Sequence, residues 1–429
     1  MKQDIINYLT GKSILILGYG REGKSALNFI QQNLPDANLA IADQKTLDLV
    51  DIKTFSGENY LEHVKEFDIV IKSPGIPTRD FVDDDQLSKI TSLTDLFLRF
   101  CQNPVIGVTG TKGKSTTSSL TCHLLKEAGR DAILVGNIGI ACFDAIDLIK
   151  ENTIIVFEIS CHQLEFVQAS PHVAILLNLY EEHLDHYKSA EDYYNAKKSI
   201  YKYQGTNDTL IYGDIFQHAS REEIANLPMH KIDIYHDIDI PKEEIHTHLV
   251  GDHNLHDIYA AIAACEAMGV DRKEALKHLD SFRGLPHRME YVGEYNHIRF
   301  YNDSIATAQE AVINAVKALE DVDTLILGGM DRGLNYHPLV DFLRNSGIRN
   351  IILLPNTTTV FQKLFEEAPY SQKLFPAANM ADAVDLAFEK TAEGRICLLS
   401  PAAASYGFYK NFEERGKDYC TLIKKHAKI

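Results

Sequence analysis

Positive charge is scarce in this chain: 43 Lys and Arg stand against 60 Asp and Glu, a formal net charge of −17. That balance argues against a general binder of nucleic acid or anionic membrane, so any anionic ligand needs a locally positive pocket. Paired cysteines are lacking too. Cys101, Cys122, Cys142, Cys161, Cys265, Cys397 and Cys420 are scattered, with no C-x-x-C among them. This leaves neither a disulfide framework nor a zinc ribbon, and fits a reducing compartment. No apolar run reaches the length of a membrane span, and residues 1–12 lack the apolar core of a secretory signal. The expectation is a cytoplasmic protein. Solenoid repeats and low-complexity tracts are missing as well. What remains is ordinary globular composition, 45% hydrophobic and 24% charged, over 429 residues. That length exceeds a single core and calls for two to four domains.

The most informative stretch is Pro104 to Ser119, PVIGVTGTKGKSTTSS. Val105, Ile106 and Val108 read as a buried strand, and Leu120, Leu124 and Leu125 as the inner face of a helix. Between them lie Gly110, Thr111, Gly113, Lys114, Ser115 and Thr116. Strand, glycine turn, Lys-Ser and helix form a polyphosphate cradle: backbone N–H groups face the anion, the lysine neutralises it, and a hydroxyl serves Mg²⁺. The match to G-x-x-x-x-G-K-[ST] is imperfect, since Val108 stands where the first glycine belongs.

An earlier strand, Ser13 to Gly18, runs into Gly18-Tyr-Gly20-Arg-Glu-Gly23, then a helix, then a second strand, Leu39 to Ala42, ending at Asp43. This is the dinucleotide fingerprint in its usual context, with phosphates expected at the helix N-terminus and a ribose or polar contact near Asp43. It does not say which nucleotide. A third strand, Asp68 to Lys72, delivers Ser73-Pro-Gly-Ile-Pro77 to the edge where open α/β sheets bind ligands. Asp83 to Asp85 reads as a solvated acidic loop.

Beyond the P-loop, strand Thr153 to Phe157 ends in Glu158 and strand Val173 to Leu177 in Asn178. Glu181, Glu182, His183, Asp185 and His186 follow. Carboxylates and imidazoles at strand ends beside a P-loop are placed to hold Mg²⁺. Tyr193 to Tyr201 reads as helix and carries Lys197 and Lys198, either a solvated basic face or a reactive amine near metal. An alanine-rich helix, Tyr259 to Met268, precedes a hinge at Gly284 and Pro286. A third α/β unit follows, with strands at 298–302, 324–327, 350–354 and 395–399. A nucleotide switch needs only the middle of this chain, and hydride transfer has no use for Gly113-Lys114-Ser115. ATP, a nucleotide-bearing substrate and a third site together suggest ATP-driven joining through an acyl phosphate, with domain closure excluding water.

The chain resembles the Mur ligase family of peptidoglycan synthesis over nearly its full length. The resemblance rests on Thr109-Gly-Thr-Lys-Gly-Lys-Ser-Thr116, Gly136-Asn-Ile-Gly139, Glu158-Ile-Ser-Cys-His-Gln-Leu-Glu165 and Asn178-Leu-Tyr-Glu-Glu-His-Leu-Asp185. It continues in Tyr193-x-x-Ala-Lys197-x-x-Ile-Tyr201, Gly251-x-His-Asn254, Gly284-Leu-Pro-His-Arg-Met-Glu290, Asn302-Asp-Ser304, Ser400-Pro-Ala-Ala-Ala-Ser405 and Lys410-Asn-Phe-Glu-Glu-Arg-Gly416. It implies an α/β fold of three domains: a Rossmann-like UDP-binding domain (1–97), a central ATPase with a mostly parallel sheet (98–284) and a C-terminal Rossmann-like amino-acid domain (285–429). It implies ATP-driven addition of D-glutamate to UDP-N-acetylmuramoyl-L-alanine by a monomer, with two Mg²⁺ ions and neither nucleic acid nor membrane as partner.

Carried over position by position, Lys114 would contact ATP phosphates, with Gly110, Thr111, Gly113, Ser115, Thr116, Asn254, His287, Arg288 and Asp303 completing the nucleotide site. Ser115, Glu158, His183 and a carbamylated Lys197 would hold Mg²⁺, and Lys114, His183 and Lys197 would be the catalytic set. Gly18, Gly20, Asp43, Ser73, Asn137 and Gln163 would meet the UDP-linked substrate. Thr307, Arg332, Ser405 and Phe412 would border the glutamate. Three positions depart from the family pattern. Ile305 replaces the lysine of D-S-K-A-T, Arg332 stands where a glutamate-binding lysine is usual, and Asp257 replaces the second asparagine of H-N-x-x-N. The first two leave an L-glutamate ligase open beside the D-glutamate reading. A polyglutamate ligase is weakened by the UDP-type domain, and a non-catalytic nucleotide-binding scaffold by the joint presence of Lys114, Glu158, His183 and Lys197.

Overall fold

The computed structural model describes every residue except 78–86, 183–185, 188 and 428–429, and only the backbone at 252 and 253. The acidic loop at Asp83 to Asp85 therefore lies outside the described residues. The chain divides into two compact units, Met1–His246 with His253–Leu279, and Thr247–Asp252 with Asp280–Ile429.

The first unit carries two parallel sheets. One is built from β1 (Ile14–Leu17), β2 (Leu39–Asp43), β3 (Lys53–Ser56), β4 (Ile69–Lys72) and β5 (Ile90–Thr91), in the order β3-β2-β1-β4-β5. The other holds β6 (Val105–Thr109), β7 (Ala132–Gly136), β8 (Ile154–Glu158), β9 (Val173–Asn178), β10 (Thr209–Asp214) and β11 (His230–Asp233), in the order β11-β10-β9-β6-β8-β7. Its central strand β6, VIGVT, is buried along its whole length, as a strand covered on both faces must be. The second unit has a mixed sheet of β12 (Glu290–Tyr295), β13 (Ile298–Asn302), β14 (Val322–Leu327), β15 (Asn350–Leu353), β16 (Lys373–Pro376) and β17 (Ile396–Leu399). Their order is β12-β13-β17-β14-β15-β16, antiparallel only between β12 and β13. Alternation splits its core: Leu325 and Leu327 join the cluster on one face while Ile326 joins the other.

The expected strands are present with ends shifted by one or two residues. The unforeseen β3, β5, β7, β11, β12 and β16 are the sheet edges, and β3, β11 and β16 are only partly buried; β10, also unforeseen, is an inner strand whose consecutive buried apolar run is only Leu210 and Ile211. Two helices begin earlier than expected. Ser189, whose side chain accepts from Asp192 N, starts one at Ala190, and it ends at Lys198 rather than Tyr201. The next spans Asp252–Ala267 and so carries Asn254 and Asp257 within it.

Candidate active site

The C-terminal ends of β1, β2 and β4 open onto a cavity of about 340 Å³. Gly18 closes β1 at φ 91°, a backbone conformation suited to glycine, and a side chain there would press on Ser73 and Ile76. Ser73 Oγ donates to Gly18 O at 2.8 Å. Gly20 is the N-cap of the helix Arg21–Asn33 and gives it no side-chain cap, and Gly20, Arg21 and Glu22 at this helix start line the cavity. Asp43 Oδ2 accepts from Tyr19 N at 2.7 Å and Oδ1 from Lys45 N at 2.8 Å, so this carboxylate shapes the turn through backbone amides. The opposite wall comes from the second sheet. Asn137 follows β7, and Gln163 sits in the short helix Cys161–Leu164, whose Ser160 and Gln163 form a reciprocal capping box. Thus Gly18, Gly20, Asp43, Ser73, Asn137 and Gln163 all line one cavity, together with Arg21, Glu22 and Cys142. Arg21 donates to the carbonyls of Asn137 and Gly139 at 3.3 and 2.5 Å, joining the fingerprint turn to the 136–139 turn.

The P-loop leaves β6 through Gly110 (φ 156°) and enters the helix Lys114–Glu127 through Gly113 (φ 86°). A side chain at Gly113 would collide with the Asp257 carboxyl, so close approach as well as backbone conformation calls for glycine here. Lys114 Nζ folds back onto Gly110 O at 2.8 Å and Thr111 O at 3.0 Å. Burial pulls its pKa down, while Glu158 and Glu182 act in the opposite direction. Asn178, at the end of β9, clamps Lys112 by Oδ1 to N at 2.9 Å and Nδ2 to O at 3.1 Å. Thr111 Oγ1 meets Tyr193 OH at 2.9 Å and accepts from Tyr180 N at 3.0 Å. Ser115 and Thr116 stand half-buried in the first helical turn, whereas Thr117 and Ser118 are buried.

Glu158 is fully buried at the end of β8; Oε1 accepts from Asn137 Nδ2 at 2.8 Å and Oε2 from Ser118 Oγ at 3.4 Å. It therefore touches both the cavity wall and the P-loop helix. Lys197, 1% exposed, donates to Gly110 O at 2.8 Å and lies 4.9 Å from the Tyr193 ring centroid. Burial, with the charge of Lys114 adding to it, pulls Lys197 down to about 7, although Cys161 and Glu182 act oppositely. Gly110 O thus accepts from both Lys114 and Lys197. His183 lies outside the described residues, as does Asp185. On the helix Asp252–Ala267, Asn254 is half-buried, and burial pushes Asp257 up to about 7.

In the second unit, Asp303 follows β13 and is held by Ser400 Oγ at 2.8 Å and Met289 N at 3.2 Å. Burial pushes it up to about 6. His287 has φ 64°; its N donates to Glu290 Oε2 at 2.8 Å, and its Nδ1 lies 2.9 Å from Asn302 Nδ2. Arg288 is exposed and Thr307 half-exposed. Ser405 borders a small cavity of about 50 Å³ that includes Gly329, Tyr409 and Arg415. Arg332 is exposed, with its guanidinium 5.8 Å from the Tyr406 ring centroid. The cation that sequence reasoning missed is Arg415, 1% exposed. It donates to Ser304 Oγ at 3.0 Å, Ser304 O at 2.8 Å and Ala403 O at 3.0 Å, and Ser304 Oγ in turn donates to Phe412 O at 2.8 Å. Its motif was visible, but an arginine on a charged helix reads as a solvated face, and nothing local announces burial.

A glycine-rich Lys-Ser turn leaving a parallel sheet, with a second glycine turn opening onto a cavity in the same unit, defines an α/β protein of P-loop type. Residues 108–237 match the Mur ligase middle domain. A UDP-N-acetylmuramoylalanine--D-glutamate ligase of Symbiobacterium thermophilum is 31% identical over 86% of each chain. Its namesake in Staphylococcus aureus is 30% identical over 98% of this chain and 99% of its own. The chain belongs to the Mur ligase family. Among solved structures, the UDP-N-acetylmuramate-alanine ligase of Thermotoga maritima matches in fold at TM-score 0.53 and 15% identity, over 97% of this chain and 100% of the other. A UDP-N-acetylmuramoyl-L-alanyl-D-glutamate--2,6-diaminopimelate ligase matches at TM-score 0.60 and 15% identity, over 96% and 92%.

Proposed function

We propose that this protein joins D-glutamate to UDP-N-acetylmuramoyl-L-alanine at the expense of ATP, a cytoplasmic step in making peptidoglycan precursor. The observation that carries the reading is the pairing of a phosphate loop with a second nucleotide-type cavity in one compact unit. Relatives named for this ligation over nearly their whole length support it, and they favour D- over L-glutamate. The alanyl carboxylate attacks the γ-phosphorus, ADP leaves, and an acyl phosphate results. The glutamate amine then attacks the acyl carbon, phosphate departs, and the amine's proton passes to solvent or base.

Gly18, Gly20, Asp43, Ser73, Asn137 and Gln163 hold the UDP-linked substrate in this reading. Gly110, Thr111, Gly113, Lys114, Ser115 and Thr116 cradle the ATP phosphates, with Asn254, His287, Arg288 and Asp303 as further nucleotide contacts. Thr307, Arg332, Ser405 and Phe412 remain the glutamate set, and Arg415 positions Ser304 and the Phe412 backbone beside them. The three-domain division at 97 and 284 is supported by one sheet falling within each segment. The working form is a monomer.

The residues present fit Mg²⁺. Ser115 offers a hydroxyl and Glu158 a buried carboxylate, while a lysine amine becomes an anionic oxygen donor once carbamylated. A Lys197 held near 7 has the neutral amine that this modification needs. When bound, Mg²⁺ offsets phosphate charge against the incoming carboxylate. The test is ATP-dependent phosphate release with UDP-N-acetylmuramoyl-L-alanine and either glutamate enantiomer. Stimulation by D-glutamate alone is expected; stimulation by neither enantiomer would sink the ligation, and by L-glutamate alone the stereochemistry.

A further inference from the structure

Glu22 occupies the first turn of the helix Arg21–Asn33 and lines the cavity beside Gly18 and Gly20. Its Oε1 accepts from Gln163 Nε2 at 2.7 Å, whereas its Oε2 is buried and has no hydrogen-bond partner among the described residues. A buried carboxyl oxygen without a donor is costly as an anion. The surrounding charges do not remove that cost. Arg21, on the same helix, spends its guanidinium on the carbonyls of Asn137 and Gly139. Lys72, arriving from β4, is bound to Glu165 Oε2 at 3.0 Å and Pro74 O at 3.2 Å. Cys142, beyond β7, has its thiol pushed up by burial first and by Glu22 next. Asp43, on another wall of the cavity, adds a carboxylate. Burial outweighs the cations, and Glu22 sits above the ordinary carboxylate value.

A neutral carboxyl has something its anion lacks, an O–H that donates. The fingerprint turn and helix N-terminus beside it are where a diphosphate is expected. We propose that Glu22 is a diphosphate-binding residue that works protonated, donating its buried Oε2–H to a phosphoryl oxygen of the nucleotide-linked substrate, so that binding draws one proton from solvent. The proposal rests on the reading that this cavity takes the UDP-linked substrate. No bond in the ligand breaks; the proton taken up resides on Oε2. An ionised Glu22 would instead set a further negative charge against the two on the diphosphate. The ligand therefore raises the carboxyl's pKa further. Between its free and bound values, affinity falls as pH rises, by up to about tenfold per pH unit.

Titration calorimetry of the full chain with UDP-N-acetylmuramoyl-L-alanine tests this, because a diphosphate diester does not titrate near neutrality. It is run from about pH 6 to about pH 9 in buffers of differing ionisation enthalpy. The native protein should take up as much as one proton, with Kd rising with pH. Glu22→Gln keeps an acceptor for Gln163 and a donor for phosphate. It should show no uptake, a flat pH profile and, at the alkaline end, at least about tenfold tighter binding than the native protein. Equal uptake in both proteins, or loss of binding in Glu22→Gln, would overturn the proposal, the latter by showing that an anionic acceptor is required. Native protein that binds without proton uptake sinks the proposal while leaving the cavity assignment standing. Native protein that binds neither this substrate nor UDP-N-acetylglucosamine sinks both.

Discussion

Lys197 carries a free-energy cost that its removal should reveal. Its side chain is 1% exposed, its Nζ has a carbonyl partner in Gly110, and burial holds it at about 7 against an ordinary lysine value of 10.5. Below pH 7 both folded and unfolded chains keep this proton, and the cost of burying it is complete. Between 7 and 10.5 the folded amine is neutral while the unfolded one is still charged, so stability climbs with pH. Above 10.5 neither is charged and the difference vanishes. The full shift corresponds to a ceiling of about 5 kcal/mol. Replacement by an apolar side chain of similar length removes it. In carbonate-free buffer, where the native amine is unmodified, Lys197→Met should thus be more stable than the native protein in urea at pH 7, by about 1 to about 5 kcal/mol, with the gap closing toward pH 10. It should also be inactive. At pH 7 about half the native amines are neutral, against about one in three thousand for an ordinary lysine, which favours carbamate formation. Labelled bicarbonate should give a carbamate carbon resonance in the native protein and none in Lys197→Met. A stability gap independent of pH, or a fully active Lys197→Met, would refute the argument.

Lys114→Ala should abolish ATP-driven phosphate release, by at least about a hundredfold, yet leave binding of the UDP-linked substrate intact, since Lys114 is not among the cavity's residues; calorimetry beside the turnover assay separates the two. Arg332→Ala should raise the KM for glutamate far more than that for ATP, and unchanged KM values would remove Arg332 from the carboxylate site. Arg415→Met strands the Ser304 and Ala403 carbonyls and should cost about 3 kcal/mol. Thermal unfolding reads that loss, and a raised glutamate KM in the surviving protein reads the displacement of Phe412 and Ser405. Raising pH through 6 in the free protein ionises Asp303, whose carboxyl burial holds high. Asp303→Asn should therefore flatten any change in ATP affinity across that pH, and an unchanged profile would exclude the residue.

The first unit was legible where chemistry and backbone coincide. Gly18, Gly110 and Gly113 each carry the positive φ that a glycine turn announces, and the strands delivering them are uninterrupted apolar runs. The meeting of Asn137 and Gln163 with Gly18 and Ser73 came from family resemblance, because it depends on how two sheets pack, and no local pattern encodes that. Of the neighbours Lys197 and Lys198, only helix phase decides which is buried: Tyr193 and Lys197, four residues apart, share the inner face. Glu22 and Arg415 escaped notice for a common reason. An acid in a first helical turn is favourable on a surface, and an arginine among charged neighbours is by habit an exposed residue, so composition gives no hint that tertiary packing has covered them.

Arg415 also bears on the order in which the second unit can assemble. It joins the segment after β13 to the helix Phe412–His426 across 111 residues of sequence, and to the segment after β17. Contacts that far apart along the chain require most of the intervening loop entropy to be lost before they form. Pairing of β13 with β17 spans a comparable separation and already brings the Ser304 and Ala403 segments side by side, which shortens the loop that Arg415 has left to close. One side chain then ties the Ser304, Ala403 and Phe412 segments to each other, so replacing Arg415 should loosen all three together rather than one alone.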